Sequence, residues 1–93
     1  PISGKYAMLR ETYLMEQKPF QYTNLLTSGT LNRHLMEIQD SASKMLEELM
    51  PRLQKEAGVT EELKARNPLQ WAGMMNNLKH SAEETILNDL VYA

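Results

Sequence analysis

The clearest pattern in the chain is a long stripe of apolar residues in the middle third of the sequence. These residues recur at intervals of three or four positions, which is the spacing of one face of an amphipathic α-helix. Thr30 precedes the stripe as a fair N-cap, and Gly58 follows it where a left-handed residue would close the helix. The pattern predicts one long helix over residues 30–57. Its stripe consists of Leu31, Leu35, Ile38, Ala42, Met45, Leu49, Leu53 and Ala57.

Pro51 lies inside this predicted helix. Proline has no N–H to donate to the carbonyl of Glu47, and its ring crowds that carbonyl. Because the apolar stripe keeps its phase on both sides of Pro51, we expect one helix with a kink near Pro51 rather than two separate helices.

A second long stripe lies in the last third of the chain. Asn67 and Pro68 suit the N-cap and the first helical position, and Gln70 lies where its side chain can reach back to the cap. The apolar positions that follow keep helical spacing almost to the last residue. The pattern predicts a helix over residues 68–91. Its stripe consists of Trp71, Met74, Met75, Leu78, Ala82, Ile86 and Leu90.

Shorter helices are predicted around the two long ones. Residues 4–17 have an apolar side, with Ser3 as a candidate N-cap. This helix should stop before Pro19, because a residue that precedes proline disfavours the α conformation. Pro19 then suits the start of a short helix, and Thr60 suits the N-cap of another. We expect the buried residues of the helix after Pro19 to be Phe20, Leu25 and Leu26.

Composition agrees with an all-α fold. Hydrophobic residues make up 42% of the 93 residues, and there are only four glycines and four prolines, so the chain has a core but few turns. We expect a single helical domain over residues 1–93, a small bundle of four to five helices. Because the chain begins at Pro1 rather than Met, we also expect that a short N-terminal segment of the full protein is missing.

The absence of cysteine excludes disulfides and thiolate metal sites. No apolar run approaches the roughly 18–20 residues of a membrane span, and no signal peptide is visible. We therefore expect a cytoplasmic protein that does not enter a membrane.

The chain offers no constellation of residues for catalysis. His34 with Glu37, and His80 with Glu83 and Glu84, share helix faces at a spacing that metal ligands can use. The order is the reverse of the Glu-x-x-His motif of di-iron bundles, and no inward-facing partner carboxylate is evident. The serines lack a nucleophile motif. We expect no metal, no cofactor and no enzymatic activity.

Residues 20–36 have the order helix, glycine turn, helix that many DNA-binding proteins use. In that arrangement the first turn of the second helix would contact base edges, and Lys5, Arg10 and Lys18 would contact phosphates. The formal net charge of −2 opposes DNA binding, so DNA is an alternative partner that the charge does not favour. The candidate base contacts are Thr30, Asn32, Arg33 and His34.

A second apolar flank lies beside the main stripe of the middle helix. Met36, Leu46 and Met50 widen the apolar side of that helix, and methionine-rich surfaces adapt to varied partners. These three residues are the candidate surface for a protein partner or for a second copy of the chain.

Several segments together resemble the TnpV family of transposon-encoded proteins. They are residues 4–10 (GKYAMLR), 22–32 (YTNLLTSGTLN), 58–65 (GVTEELKA) and 87–92 (LNDLVY). The resemblance covers essentially the whole chain. It implies an origin in a bacterial mobile element, and it implies no catalytic residues.

The leading hypothesis is a non-enzymatic accessory or regulatory protein of a mobile element that acts through protein–protein contacts. The alternative is a DNA-binding regulator that uses residues 20–36. A weaker alternative is an inhibitor of a host defence complex.

Overall fold

The computed structural model describes residues 4–93, which form five α-helices and one π-helical turn and contain no β-strand. The all-α bundle predicted from the sequence is confirmed. The helices are α1 (Lys5–Gln17), α2 (Pro19–Thr27), α3 (Leu31–Ala57), α4 (Glu61–Arg66) and α5 (Pro68–Ile86), and the π-helical turn covers Leu87–Val91.

Local capping signals set most helix ends. Gly58 closes α3 in the left-handed conformation, with φ of 70°. The Thr60 hydroxyl accepts a hydrogen bond from the backbone N–H of Leu63 at 3.1 Å, and the Asn67 side chain accepts one from the N–H of Gln70 at 3.2 Å. These caps lie at the predicted positions and begin α4 and α5.

The start of α1 is capped by a distant residue. The predicted cap, Ser3, lies outside the described residues. Instead, Oε1 of Gln39 on α3 accepts hydrogen bonds from the backbone N–H groups of Tyr6 and Ala7, at 2.9 and 3.0 Å. Gly4 makes room for this contact, since a β-carbon there would collide with the Gln39 side chain. The cap therefore also fixes where α1 docks on α3.

Two predictions concern the long helices: that α3 continues past Pro51, and that the last helix reaches residue 91. The α3 helix continues through Pro51 without interruption, so one long helix is confirmed. The last helix differs in its final turn, because α5 ends at Ile86 and the chain continues as the π-helical turn. The wider turn places Val91 in the core and packs Leu87 and Leu90 against it.

The burial predicted for α2 is wrong for Phe20 and Leu26, whereas Leu25 does pack against the core. Phe20 is 87% exposed and Leu26 is 55% exposed, while Leu25 is only half-buried. Because α2 is a short helix on the outside of α1 and α3, only Leu25 and Tyr22 reach the core.

The buried core lies at one end of an elongated molecule, which measures 55 × 21 × 18 Å. Its radius of gyration is 16.7 Å, against about 12 Å for a compact domain of this length. At the proximal end, α1, α2 and the π-helical turn pack on the first half of α3. At the distal end, the second half of α3, α4 and the first half of α5 form a thinner section. Both core clusters are proximal: Tyr6, Ile38, Ala42, Ile86 and Val91 form the first, and Ala7, Leu14, Leu31 and Leu35 form the second.

Candidate partner-binding surface

A buried arginine organises the proximal end. The side chain of Arg10 is only 5% exposed, and its Nη1 donates hydrogen bonds to the backbone carbonyls of Val91 and Ala93, at 2.9 and 2.8 Å. Carbonyls at a helix end lack partners within the helix, and a cation there also complements the helix dipole. Burial lowers the pKa of Arg10. Arg10 is thus part of the core, and the expectation that it contacts phosphate is wrong.

His34 belongs to the same buried cluster. Its Nε2 accepts a hydrogen bond from Nε of Arg10 at 3.2 Å, so this nitrogen carries no proton. Burial lowers the pKa of His34, and the Arg10 guanidinium lowers it further. The contact with Arg10 and the lowered pKa both favour a neutral imidazole on this half-buried side chain.

The other residues predicted to contact DNA differ in their exposure to solvent. Asn32 and Arg33 are exposed, whereas Thr30 is half-buried with its hydroxyl 2.7 Å from that of Ser28. Lys5 forms an ion pair with Glu83 at 2.9 Å. With Lys5 paired and Arg10 buried, few of the predicted basic groups remain on the surface around this turn.

The three predicted partner residues, Met36, Leu46 and Met50, are all half-buried and lie along one flank of α3. Leu46 also packs against the first core cluster. The flank continues with Leu53 and Ala57, at the alternating intervals of three and four that keep residues on one side of a helix.

The helix α1 covers the proximal part of this flank. It begins against Gln39, and it runs antiparallel to α3 because Leu14, near its other end, packs with Leu31 and Leu35. Leu46, Met50, Leu53 and Ala57 therefore continue the surface on which α1 packs, beyond the first residue of α1.

The side of α5 that faces α1 is identified by Glu83, whose carboxylate forms an ion pair with Lys5 of α1. Steps of three and four residues from Glu83 toward the start of α5 lead to Lys79, Met75, Ala72 and Leu69. Leu69 is 86% exposed, Ala72 is exposed and Met75 is half-buried. We define the open groove as the surface between α3 and α5 formed by Leu46, Met50, Leu53, Ala72 and Met75.

Charge is nearly absent from the open groove. Residues 67–78 contain no charged side chain. The nearest charges along the two helices are Lys79 on α5 and Glu47 on α3. The opposite side of α5 is covered, since Lys64 of α4 lies over the ring of Trp71 at 4.6 Å and Leu63 is buried. An uncharged, half-exposed groove of two helices is a surface suited to a third helix.

Periodicity identifies only part of this groove, because Ala72 lies off the main apolar stripe of α5. The run of twelve uncharged positions, residues 67–78, was the available signal, because a solvated helix face normally carries charges.

The other features of the surface give weaker evidence of a functional site. No group of three or more potential metal ligands occurs within residues 4–93. None of the helices in that range combines the length and the apolar character needed to span a lipid bilayer. Met8, Met15 and Phe20 are exposed on α1 and α2, and scattered apolar side chains of this kind are normal on protein surfaces.

The family described as transposon-encoded protein TnpV matches residues 2–91 of the chain. No curated protein and no solved structure shows significant similarity to it.

Proposed function

The chain belongs to the TnpV family of transposon-encoded proteins, and we propose that it is a non-enzymatic accessory protein of a bacterial mobile element that acts by binding a helix of another polypeptide. The observation that carries this proposal is the open groove. All of its residues except Leu46 lie beyond both core clusters, and Leu46 packs against the first.

The binding mode follows from the packing of α1. In the proximal half, α1 already packs on the same flank of α3 that the groove continues. The stretch of α3 from Ser43 to Ala57 is about 21 Å long at 1.5 Å per residue. A helix of about 14 residues would fill this length, with its apolar side toward Met50 and Met75.

Affinity in such a groove would come from apolar contact rather than from ion pairs. Apolar surface contributes about 25 cal/mol for each Å² removed from water. Met50 and Met75 are long and flexible, so the groove can adapt to the shape of its partner. The expected partner therefore has a helix with one apolar side and few charges on it.

The test is binding of purified proteins encoded by the same transposon, measured one at a time. The wild-type chain should bind one of them, and Met50→Glu should weaken that binding at least tenfold because it places a charge in the apolar groove. Met15→Glu is the matched control, since Met15 is 52% exposed on α1 outside the groove, and it should bind like the wild type. Circular dichroism should show the same helicity for both variants.

The DNA-binding alternative predicts the opposite pattern. It rests on the exposure of Asn32 and Arg33 at the first turn of α3. If the chain shifts DNA from the transposon ends at low salt, and Arg33→Ala abolishes the shift while Met50→Glu does not, the groove proposal is contradicted.

A further inference from the structure

We infer that the end of the last helix is a two-state element: Arg10 and neutral His34 hold Leu87–Val91 as a π-helical turn, and protonation of His34 releases this segment into an ordinary α-helical turn. The inference goes beyond the proposed function, since none of these residues lines the open groove.

Two neighbouring apolar residues make both forms of the turn possible. In an α-helix, the residue that shares a face with Ile86 is four positions further on, which is Leu90. In a π-helical turn the repeat is one residue longer, and the corresponding residue is Val91. Either register therefore has an apolar side chain to place in the core.

The structure has the π-helical form. The backbone N–H of Tyr92 donates a hydrogen bond to the carbonyl of Leu87, five residues earlier, at 2.8 Å. Val91 is fully buried, whereas Leu90 is only half-buried. In the α-helical form the same N–H would donate to the carbonyl of Asn88, and Leu90 would take the place of Val91.

Arg10 favours the π-helical form, which is otherwise rare in proteins. Its Nη1 binds the carbonyls of Val91 and Ala93 where the π-helical turn places them, at 2.9 and 2.8 Å. A shift of one residue in register turns these carbonyls by roughly 100° about the helix axis, away from Nη1. The α-helical form would therefore leave the buried guanidinium without two of its acceptors, which is costly.

His34 connects this choice to pH. Its Nε2 accepts the hydrogen bond from Nε of Arg10, at 3.2 Å, only while it carries no proton. A proton there would place a second cation beside the guanidinium, so the two side chains must separate. His34 is half-buried and shares a surface cleft with Glu37, three residues further on, toward which it can turn. Arg10 then loses the contact that fixes its position, and with it the hold on the two carbonyls.

Arg10 is the hydrogen-bond partner that the structure gives the His34 side chain. Burial and Arg10 lower the pKa of His34, and Glu37 raises it. The elements around His34 contribute four other titratable side chains. They are Arg33 in the same cleft, Tyr13 against the Arg10 guanidinium, Tyr22 of α2 beside the second core cluster and Asp89, which is exposed on the π-helical turn. The π-helical form should therefore hold at neutral pH and give way in acid.

Nuclear magnetic resonance of the isotopically labelled chain reads the form of the turn directly. The scalar coupling across the hydrogen bond of the Tyr92 N–H connects it with the carbonyl carbon of Leu87 in the π-helical form and of Asn88 in the α-helical form. At about pH 7.5, above the ordinary pKa of histidine, the wild type should show the Leu87 coupling. As the pH falls, the Asn88 coupling should replace it over the range in which the imidazole resonances of His34 titrate.

Two variants separate the roles of the two side chains. Arg10→Met removes the charge and the donors but keeps a long side chain in the buried position, so it should show the Asn88 coupling at neutral pH. His34→Gln keeps an acceptor that does not titrate, so it should retain the Leu87 coupling in acid. Arg33→Met is the matched control, since Arg33 is exposed, and it should change form as the wild type does.

Persistence of the Leu87 coupling would overturn the inference, either in the wild type once His34 is fully protonated or in folded Arg10→Met. Loss of both couplings would also overturn it, because the turn would then have unfolded rather than changed register. If Arg10→Met does not fold, the wild-type titration and His34→Gln decide the question.

Discussion

At the scale of single residues, Arg10 shows how a charge is accommodated in this core. Among residues 4–93, Arg10 is the one charged residue that is buried. It donates hydrogen bonds to two backbone carbonyls and to the imidazole of His34 rather than to a carboxylate. The Val91 carbonyl belongs to the end of the π-helical turn, where the helix dipole is negative, and the Ala93 carbonyl lies just beyond it. Arg10 thereby joins α1 to the start of α3 and to the C-terminal segment.

His34 makes this cluster sensitive to pH. Burial lowers its pKa below the ordinary 6.5, the Arg10 guanidinium lowers it further, and Glu37 raises it. Below about pH 6.5 the unfolded chain therefore binds more protons at this site than the folded chain, so stability rises with pH in that range. We expect the contribution of His34 to be complete above about pH 7 and to be lost as the pH falls through the pKa of the folded state.

Urea unfolding at about pH 7 and at about pH 5 measures this loss. His34→Gln keeps an acceptor for Arg10 but does not titrate, so its free energy of unfolding should depend less on pH. His80→Gln is the matched control, since His80 is exposed on α5, and it should keep the wild-type dependence. An unchanged pH dependence in His34→Gln would contradict the prediction.

At the scale of elements, the signals that lie next to each other in the sequence predicted the helices well. The stripe from Leu31 to Ala57 and the turn at Gly58 gave the bounds of α3, and Asn67 with Pro68 gave the start of α5. Pro51 did not end α3, because the packed stripe on both sides outweighs one lost backbone hydrogen bond.

The features that the sequence did not predict depend on contacts between distant residues. Gln39 caps α1 across 33 positions of sequence, and Arg10 reaches the carbonyl of Val91 across 81. The side of the bundle on which α1 lies follows from these contacts and from the pair of Lys5 with Glu83. For that reason Met36, Leu46 and Met50 could be identified as an apolar flank from the sequence, but the open groove could not.

Packing differs between two leucines that occupy equivalent positions in the apolar stripe of α3. Leu35 is fully buried in the second core cluster, whereas Leu49 is only half-buried and packs against the edge of the first. Leu35→Ala should lower the free energy of unfolding by about 2–5 kcal/mol, and Leu49→Ala by less than about 2 kcal/mol, because less apolar contact is lost.

Denaturant unfolding of the two variants checks this order. Leu69→Ala is the exposed control and should change stability by no more than about 0.5 kcal/mol. A cost of Leu35→Ala under about 1 kcal/mol, or an equal cost for Leu49→Ala, would mean that the buried side of α3 has been placed wrongly.

At the scale of the whole molecule, the elongated shape divides the chain into sections of unequal packing. Both core clusters lie at the proximal end, while Leu53, Met74, Met75 and Leu78 at the distal end are only half-buried. Sections with few buried apolar contacts open at lower free energy than the rest of a protein. The chain should therefore open first at its distal end.

Hydrogen exchange tests this order of opening. Backbone N–H groups of Trp71 to Leu78 should exchange faster than those of Leu35 to Ala42, because fewer buried apolar contacts hold the distal end closed. Equal exchange rates in the two segments would contradict the prediction.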